Sequence, residues 1–400
     1  MRRAALGLIV AIGVGCSGSG GNKITIGAIM SQTGTLATIG QQELQAAQLA
    51  VNEINNAGGV LGSKLELVNV DDRSDPMGAS AAATTLVTSD HVPAIVGAIA
   101  SGSTIPAAMV TAPANVVLIS GASTSPAISG MSPYVFRTCP SDALQGQLIA
   151  KRAKAANLTR VAVTYVPGPY GEGLSNSFAT NFTMLGGTVT FQQMYTEGQS
   201  SYSSLLTSIY ATNPEAVLLV AYPIDGAQII KDYNSAFSSQ QTTWFFTDAT
   251  EDPSFVQAIG PNNFTFNHEG TGSAAPSGSA YSAYAAAFAA AYGAPPLPGT
   301  FSANVYDATY LVALSIEKGA KADGAAIAAS MHSVSNPPGT TVGPGQWASA
   351  LSALTVGGEV NYEGASGSVD VNDSGDVIAP YDIWKVQGGT ITVTEMSVSP

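Results

Sequence analysis

Cysteine, histidine and charge are all scarce in this chain. Its 400 residues hold two cysteines, three histidines and three tryptophans, and only 10% are charged. Two cysteines are too few for a disulfide framework, and one of them, Cys16, lies in the N-terminal segment. If Cys16 is lipidated, Cys139 has no partner; with no flanking histidine it reads as a buried small hydrophobe. The histidines, His91, His268 and His332, are widely spaced and have no metal-ligand neighbour four residues on, which argues against a histidine-rich metal centre. Lysine and arginine number 14 against 27 acidic residues, a balance that disfavours nucleic acid and anionic membrane surfaces as partners. No G-x-S-x-G elbow, no Walker loop and no complete G-x-G-x-x-G after a strand occurs. The adjacent carboxylates Asp71-Asp72 and Glu251-Asp252 make poor acid/base dyads, because neighbours on a strand point oppositely. Asp370 to Gly375 partly resembles a calcium loop, but its twelfth position is Tyr381 rather than glutamate, so a β-turn is expected.

The N-terminus reads as an export signal. Met1-Arg2-Arg3 precedes an apolar run from Ala4 to Val14, then Gly15-Cys16-Ser17. The run is too short for a mature membrane span. Val14-Gly15-Cys16 resembles a bacterial lipobox, although Gly13 stands where leucine is usual. Residues 1–15 are therefore expected to be a signal peptide, Cys16 a lipidated N-terminus and 16–22 a flexible tether. The alternative is ordinary cleavage nearby. Loss of Arg2 and Arg3 leaves a net charge near −15.

Downstream, strand and helix alternate. Predicted strands are Ile24–Ile29, Lys64–Val70, Ala94–Ile99, Val116–Ile119, Arg160–Val166, Thr188–Tyr195, Ala216–Tyr222 and Thr243–Asp248. Helices are predicted at Gln41–Asn56, Pro76–Ser89, Asp142–Asn157 (capped by Asp142), Leu174–Leu185, Tyr202–Ala211, Asp225–Phe237 and Pro253–Ile259. Tyr134–Ser141 and Gly270–Pro276 read as links, followed by helices at Ser279–Tyr292, Asn304–Gly319 and Gly324–Ser335. A loop over Asn336–Gly345 follows, and Gly367–Val371 and Tyr381–Val386 read as closing strands joined by a turn. Repeated βα units imply an α/β protein with parallel sheets covered by helices, and two such series imply two similar lobes.

Two apolar strands end in hydroxyls. Ala94–Ile99 runs into Ser101, Ser103 and Thr104, and Val116–Ile119 runs into Ser120, Ser123, Thr124 and Ser125. Ligands bind outside the carboxyl ends of strands in open α/β sheets, and helix N-termini there favour anions. The pair points to a small anionic or zwitterionic ligand and carries no catalytic group.

Longer stretches share a pattern. They are Ile26-Gly27-Ala28-Ile29-Met30-Ser31-Gln32-Thr33-Gly34, the run Gln48 to Gly62, and Asp71-Asp72 with Asp75-Pro76. Phe136-Arg137-Thr138, Ser141-Asp142, Tyr170-Gly171-Glu172-Gly173, Tyr306-Asp307-Ala308 and Glu363-Gly364-Ala365-Ser366-Gly367 continue it. Together they resemble the periplasmic leucine/isoleucine/valine-binding proteins, type I substrate-binding proteins of ABC amino-acid importers. The resemblance implies two Rossmann-like lobes joined by a three-crossover hinge, with 23–142 plus 272–381 in one lobe and 143–271 plus 382–400 in the other. It implies a monomer without cofactor or catalysis. The lobes would close like a flytrap on an amino acid, expected to be branched-chain or small and aliphatic, and dock on an ABC permease in the inner membrane. The location implied is the periplasm or cell surface, anchored through Cys16.

Carried over residue by residue, Ser101 matches a donor to the ligand carboxylate, and Ala122 a backbone contact. Thr124 matches a contact to both carboxylate and ammonium. Tyr170 and Tyr222 match aromatics from the second lobe, and Asp248 sits near the acidic partner of the ammonium. Tyr170 also fits a glycine-flanked turn, and Ser101 and Thr124 also fit helix caps. Ile39 departs from the pattern, standing where relatives often place an aromatic, which leaves the side-chain pocket open. The alternative function is a sensor of an amide or other small polar solute that reports to a membrane receptor. An enzyme on the same fold is disfavoured by the lack of a nucleophile–base or metal set.

Overall fold

A computed structural model describes residues 23–274 and 277–400. The expected signal peptide, tether and Cys16, and the end of the link at Ala275-Pro276, lie outside the described residues. The chain begins with β1 (Lys23–Ile29), α1 (Ala37–Asn56), β2 (Lys64–Asn69), α2 (Pro76–Thr88), β3 (Ala94–Gly97), α3 (Ser101–Thr111), β4 (Val117–Ser120) and β5 (Val135–Arg137). A second series follows: α4 (Asp142–Ala155), β6 (Arg160–Tyr165), α5 (Pro169–Met184), β7 (Thr188–Met194), α6 (Ser203–Tyr210), β8 (Ala216–Val220), α7 (Pro223–Ala236), β9 (Thr243–Phe246), α8 (Pro253–Ile259) and β10 (His268–Ser273). Then come α9 (Gly278–Tyr292), α10 (Ser302–Gly319), α11 (Gly324–Ser335), β11 (Thr340–Val342), α12 (Trp347–Thr355), β12 (Val360–Gly364), β13 (Gly367–Ser368), β14 (Tyr381–Gln387) and β15 (Thr390–Val398).

Local chemistry accounts for many boundaries. α1 buries Ala46, Ala47, Ala50, Val51 and Ile54 on one face and stops at Gly58-Gly59, both at positive φ. Asp75 caps α2 by accepting from the Gly78 N–H at 2.9 Å, with Pro76 in the first turn. β3, β4 and β8 are buried along their whole length, as strands covered on both faces must be.

The first sheet runs β2-β1-β3-β4-β5, all parallel. The second runs β15-β14-β10-β9-β8-β6-β7, with β6 to β10 parallel and β14 and β15 antiparallel. Numbered within its own series, the parallel part of the second sheet repeats the order of the first. Each reverses direction once, between its first and third strands, and that switch point opens a crevice at the strands' carboxyl ends. The chain passes between the two sheets three times: from β5 to α4, from β10 to α9, and from β13 to β14. A small third sheet, β11-β12-β13, lies along the way.

Several expectations are corrected. The link at Tyr134–Ser141 contains β5, held by only three residues. The link at Gly270–Pro276 is β10 as far as Ser273. Its glycines signal crowding rather than freedom: a Cβ on Gly270 would overlap the Trp384 indole, and one on Gly272 the Glu251 carboxylate. The two closing strands do not pair with each other; β13 pairs with β12, and β14 joins the second sheet. Between them Asn372 accepts from the Ser374 and Asp376 N–H groups, which makes the expected turn. β11, α12, β12 and β15 were not anticipated. Ser141, not Asp142, caps α4, and α5 starts at Pro169, so Tyr170 is helical rather than in a turn.

Candidate functional site

Seven expected residues meet in one cavity. Ile39, Ser101, Ala122, Thr124, Tyr170, Tyr222 and Asp248 all line a space of about 40 Å³ between the carboxyl ends of the two sheets. Ser101 is the first residue of α3, Tyr170 the second of α5, and Tyr222 directly precedes α7. Three helix N-termini, with their free N–H groups and positive dipole ends, therefore bear on the cavity.

Most hydroxyls after β3 and β4 serve the scaffold. Ser120 Oγ donates to the Ala98 carbonyl at 2.6 Å and accepts from the Ser123 N–H at 3.0 Å. Thr104 Oγ1 and Ser123 Oγ lie 2.6 Å apart, which ties the two strand ends together. Ser101 Oγ accepts from the Ser125 N–H at 3.1 Å, so its own proton remains to be donated. Thr124 Oγ1 donates instead to Asp142 Oδ2 at 2.8 Å. Its proton is committed there, and what Thr124 offers the cavity is hydroxyl lone pairs and backbone.

The loop carrying Thr124 is braced by a fully buried cation. Arg137 Nε meets Asp376 Oδ1 at 2.7 Å, Nη1 donates to the Ser123 and Ser125 carbonyls, and Nη2 donates to Ser129 Oγ at 2.7 Å. Four of its five N–H donors are used in this way, as burial of a guanidinium demands.

The opposite wall is aromatic and acidic. Tyr170 and Tyr222 stack with ring centroids 5.7 Å apart. Tyr170 Oη lies 2.9 Å from Thr247 Oγ1 and donates to Asp248 Oδ1 at 3.0 Å. Asp248 opens a short 3-10 turn over Asp248–Thr250, two residues past the end of β9. Burial raises its carboxyl above the usual range, and the Tyr170 hydrogen bond opposes that. Burial, reinforced by the Asp248 charge, also holds Asp142 well above its usual range. Ser125 Oγ donates to the Pro169 carbonyl at 2.8 Å, joining the two walls directly.

Leu36, Gly299 and Phe301 line the same cavity and were missed. Phe301 supplies the aromatic that Ile39 lacks. It does so from the turn before α10, at φ +52, a backbone region that bulky residues rarely adopt. No helical or strand period runs through Pro295–Phe301, so only that positive φ marks it, and φ is invisible in sequence. Elsewhere, Cys139 is fully buried, and burial pushes its thiol far up. His268 accepts from the Val386 N–H at 3.0 Å. Among the described residues no group of three or more His, Cys, Asp or Glu side chains is placed to hold a metal, and no helix is long and apolar enough to cross a membrane.

One wall thus offers N–H and O–H donors and the other a carboxylate under aromatic rings, complementary to a zwitterion. The profile of the periplasmic binding protein family matches residues 23–351. The chain belongs to that family. The Leu/Ile/Val-binding protein BraC3 of Rhizobium johnstonii is 28% identical over 93% of this chain and 94% of its own length. An amino acid binding protein of Pseudomonas aeruginosa is 33% identical over 54% of this chain, a match spanning 58% of that protein. The crystal structure of the leucine binding protein LivK from Thermotoga maritima superposes with a TM-score of 0.79 at 24% identity, over 94% of this chain and 99% of that one, which shows the shared fold. Membership identifies a solute-binding protein located outside the cytoplasm, with a small molecule as its ligand.

Proposed function

We propose that the protein captures a free amino acid, aliphatic and compact, between two hinged lobes and delivers it to an ABC importer. The observation that carries this reading is the meeting of all seven residues in one cavity. The lobes would comprise 23–142 plus 272–381 and 143–271 plus 382–400, and the mature protein would be a monomer tethered through a lipid on Cys16. Ser101, the Ala122 backbone and the first turn of α3 take the α-carboxylate. Thr124 accepts from the α-ammonium, and Asp248 neutralises it. Tyr170 and Tyr222 cover the ligand as the lobes shut.

Placing donors on one wall and the carboxylate on the other makes the closed form bind better than the open form. The ligand then biases closure by its extra contacts. The lining favours an aliphatic side chain: Leu36, Ile39 and Phe301 give the cavity apolar surface beside its polar groups. The name of BraC3 points the same way. No bond is made or broken in this scheme.

Isothermal titration of the purified protein against the twenty amino acids tests it. Saturable one-to-one binding of leucine, valine or alanine is expected, abolished together by Asp248→Asn with Ser101→Ala. Silence across the set overturns it.

A further inference from the structure

A second, larger chamber adjoins the cradle on the side of the chain crossings. It measures about 170 Å³, and Asp248, Gly299 and Phe301 line both it and the cradle. Its own walls are mainly apolar: Leu297, Pro296 and Tyr281 on one side, and Ser273 and Ala274 at the end of β10 on the other. Glu251 and Asp248 are the acidic residues among its lining.

The electrostatics of this region are one-sided. The charges of Asp382 and Asp248 both act on Glu251, and that of Asp248 also acts on Asp142. The buried cation nearby, Arg137, is spent on Asp376 and backbone carbonyls. An amino acid in the cradle brings one ammonium, matched by Asp248, and one carboxylate, matched by neutral donors. Glu251 then remains without a positive counterpart: no basic side chain is among the described residues that line the chamber, and the charges that act on it are those of Asp382 on β14 and Asp248. Phe301, which lines both chambers, sits on a backbone held in a costly conformation, as residues at ligand clamps often are.

We infer that the chamber is a second subsite of the same ligand site, taking an unbranched amino-acid side chain that ends in an ammonium, with Glu251 as its counter-ion. This rests on the amino-acid reading of the cradle and departs from it in the side chain, a longer cationic one being preferred to a compact aliphatic one. The ligand stem would lie against Leu297 and Phe301 and its terminal charge against Glu251. Burial, then the charges of Asp382 and Asp248, push the free Glu251 carboxyl up to about 8. An arriving ammonium favours the ionised form, so binding at pH 7 expels a proton from Glu251.

The test compares matched pairs on the full mature chain by isothermal titration at pH 7: lysine with norleucine, and ornithine with norvaline. Each cationic member is expected to bind at least tenfold more tightly than its neutral partner. Repeating the lysine titration in phosphate and Tris buffers should show proton release, absent for norleucine. Glu251→Gln, nearly isosteric, should collapse the lysine-to-norleucine ratio towards one and abolish the proton release. Ala274→Leu, which narrows the chamber from β10, should weaken lysine more than alanine. Equal or tighter binding of the neutral partners, or a ratio untouched by Glu251→Gln, overturns the subsite while leaving the cradle standing. Failure of every amino acid to bind overturns both.

Discussion

The two parallel sheets share one strand order but present opposite chemistry at their carboxyl ends. After β3 and β4 stand Ser101, Ala122 and Thr124, all uncharged, on loops tied by Ser120, Ser123 and Arg137. After β8 and β9 and at the start of α5 stand Tyr222, Asp248 and Tyr170. Topology sets where a crevice opens; the few residues past each strand end decide what that crevice attracts. The contrast extends to support. The neutral wall is braced by a buried cation that makes four hydrogen bonds. The acidic wall rests on a phenol and carboxyls whose burial is only partly compensated.

The largest expected effect strikes the brace of the neutral wall. Arg137→Met leaves Asp376 without its partner and three loop acceptors unfilled, which should cost on the order of 3–5 kcal/mol. Chemical denaturation checks it, and a loss under 1 kcal/mol would mean that Arg137 is not the brace. Asp248→Asn probes the acidic wall. Leaving the ligand ammonium unneutralised should weaken amino-acid binding by about 2–4 kcal/mol with little change in folding stability. Calorimetry beside a melting curve separates the two effects.

The pH dependence of the ligand-free protein tests the contrast in support. Burial raises Asp142, Asp248 and Glu43, and raises Asp307 to about 6. A carboxyl whose folded pKa exceeds its unfolded value binds its proton more tightly when folded. Its contribution is therefore full below about pH 4 and is lost as pH rises through the folded value. The melting temperature should fall between pH 4.5 and 7.5; a profile rising over that range contradicts the assignment. The smallest effect belongs to Ser101→Ala. It removes one neutral donor and the acceptor for the Ser125 N–H, and should weaken binding by about 1 kcal/mol.

Much of this was legible beforehand. Alternating βα units announced the parallel sheets, because fully buried strands need continuous apolar runs and their covering helices need one apolar face. Short spaced motifs marked most of the cradle. The errors cluster where glycine or brevity hides a strand. Gly270 and Gly272 look like linker chemistry, yet they make room for Trp384 and Glu251. β5 is too short to show a period, and Asp142 reads as a cap until Ser141 is seen taking that place. Tyr306-Asp307-Ala308 and Glu363 to Gly367 looked like separate motifs. They are one network, in which buried Asp307 accepts from Tyr362 Oη at 2.8 Å and from the Ala365 and Ser366 N–H groups at 2.7 and 2.8 Å.

The sequence by itself determined the fold class and the residue types at the strand ends, because periodicity and strand-end chemistry are local and repeat along the chain, and its short motifs marked the family. Tertiary structure alone decided which hydroxyls are free. Thr124 and Ser101 look alike in sequence, but Asp142 takes the proton of the first, and the second keeps its own. It also decided that Phe301, more than two hundred and sixty residues after Ile39, completes the same pocket and borders a second chamber. Such outcomes depend on contacts between segments far apart in the chain, and no local pattern encodes them.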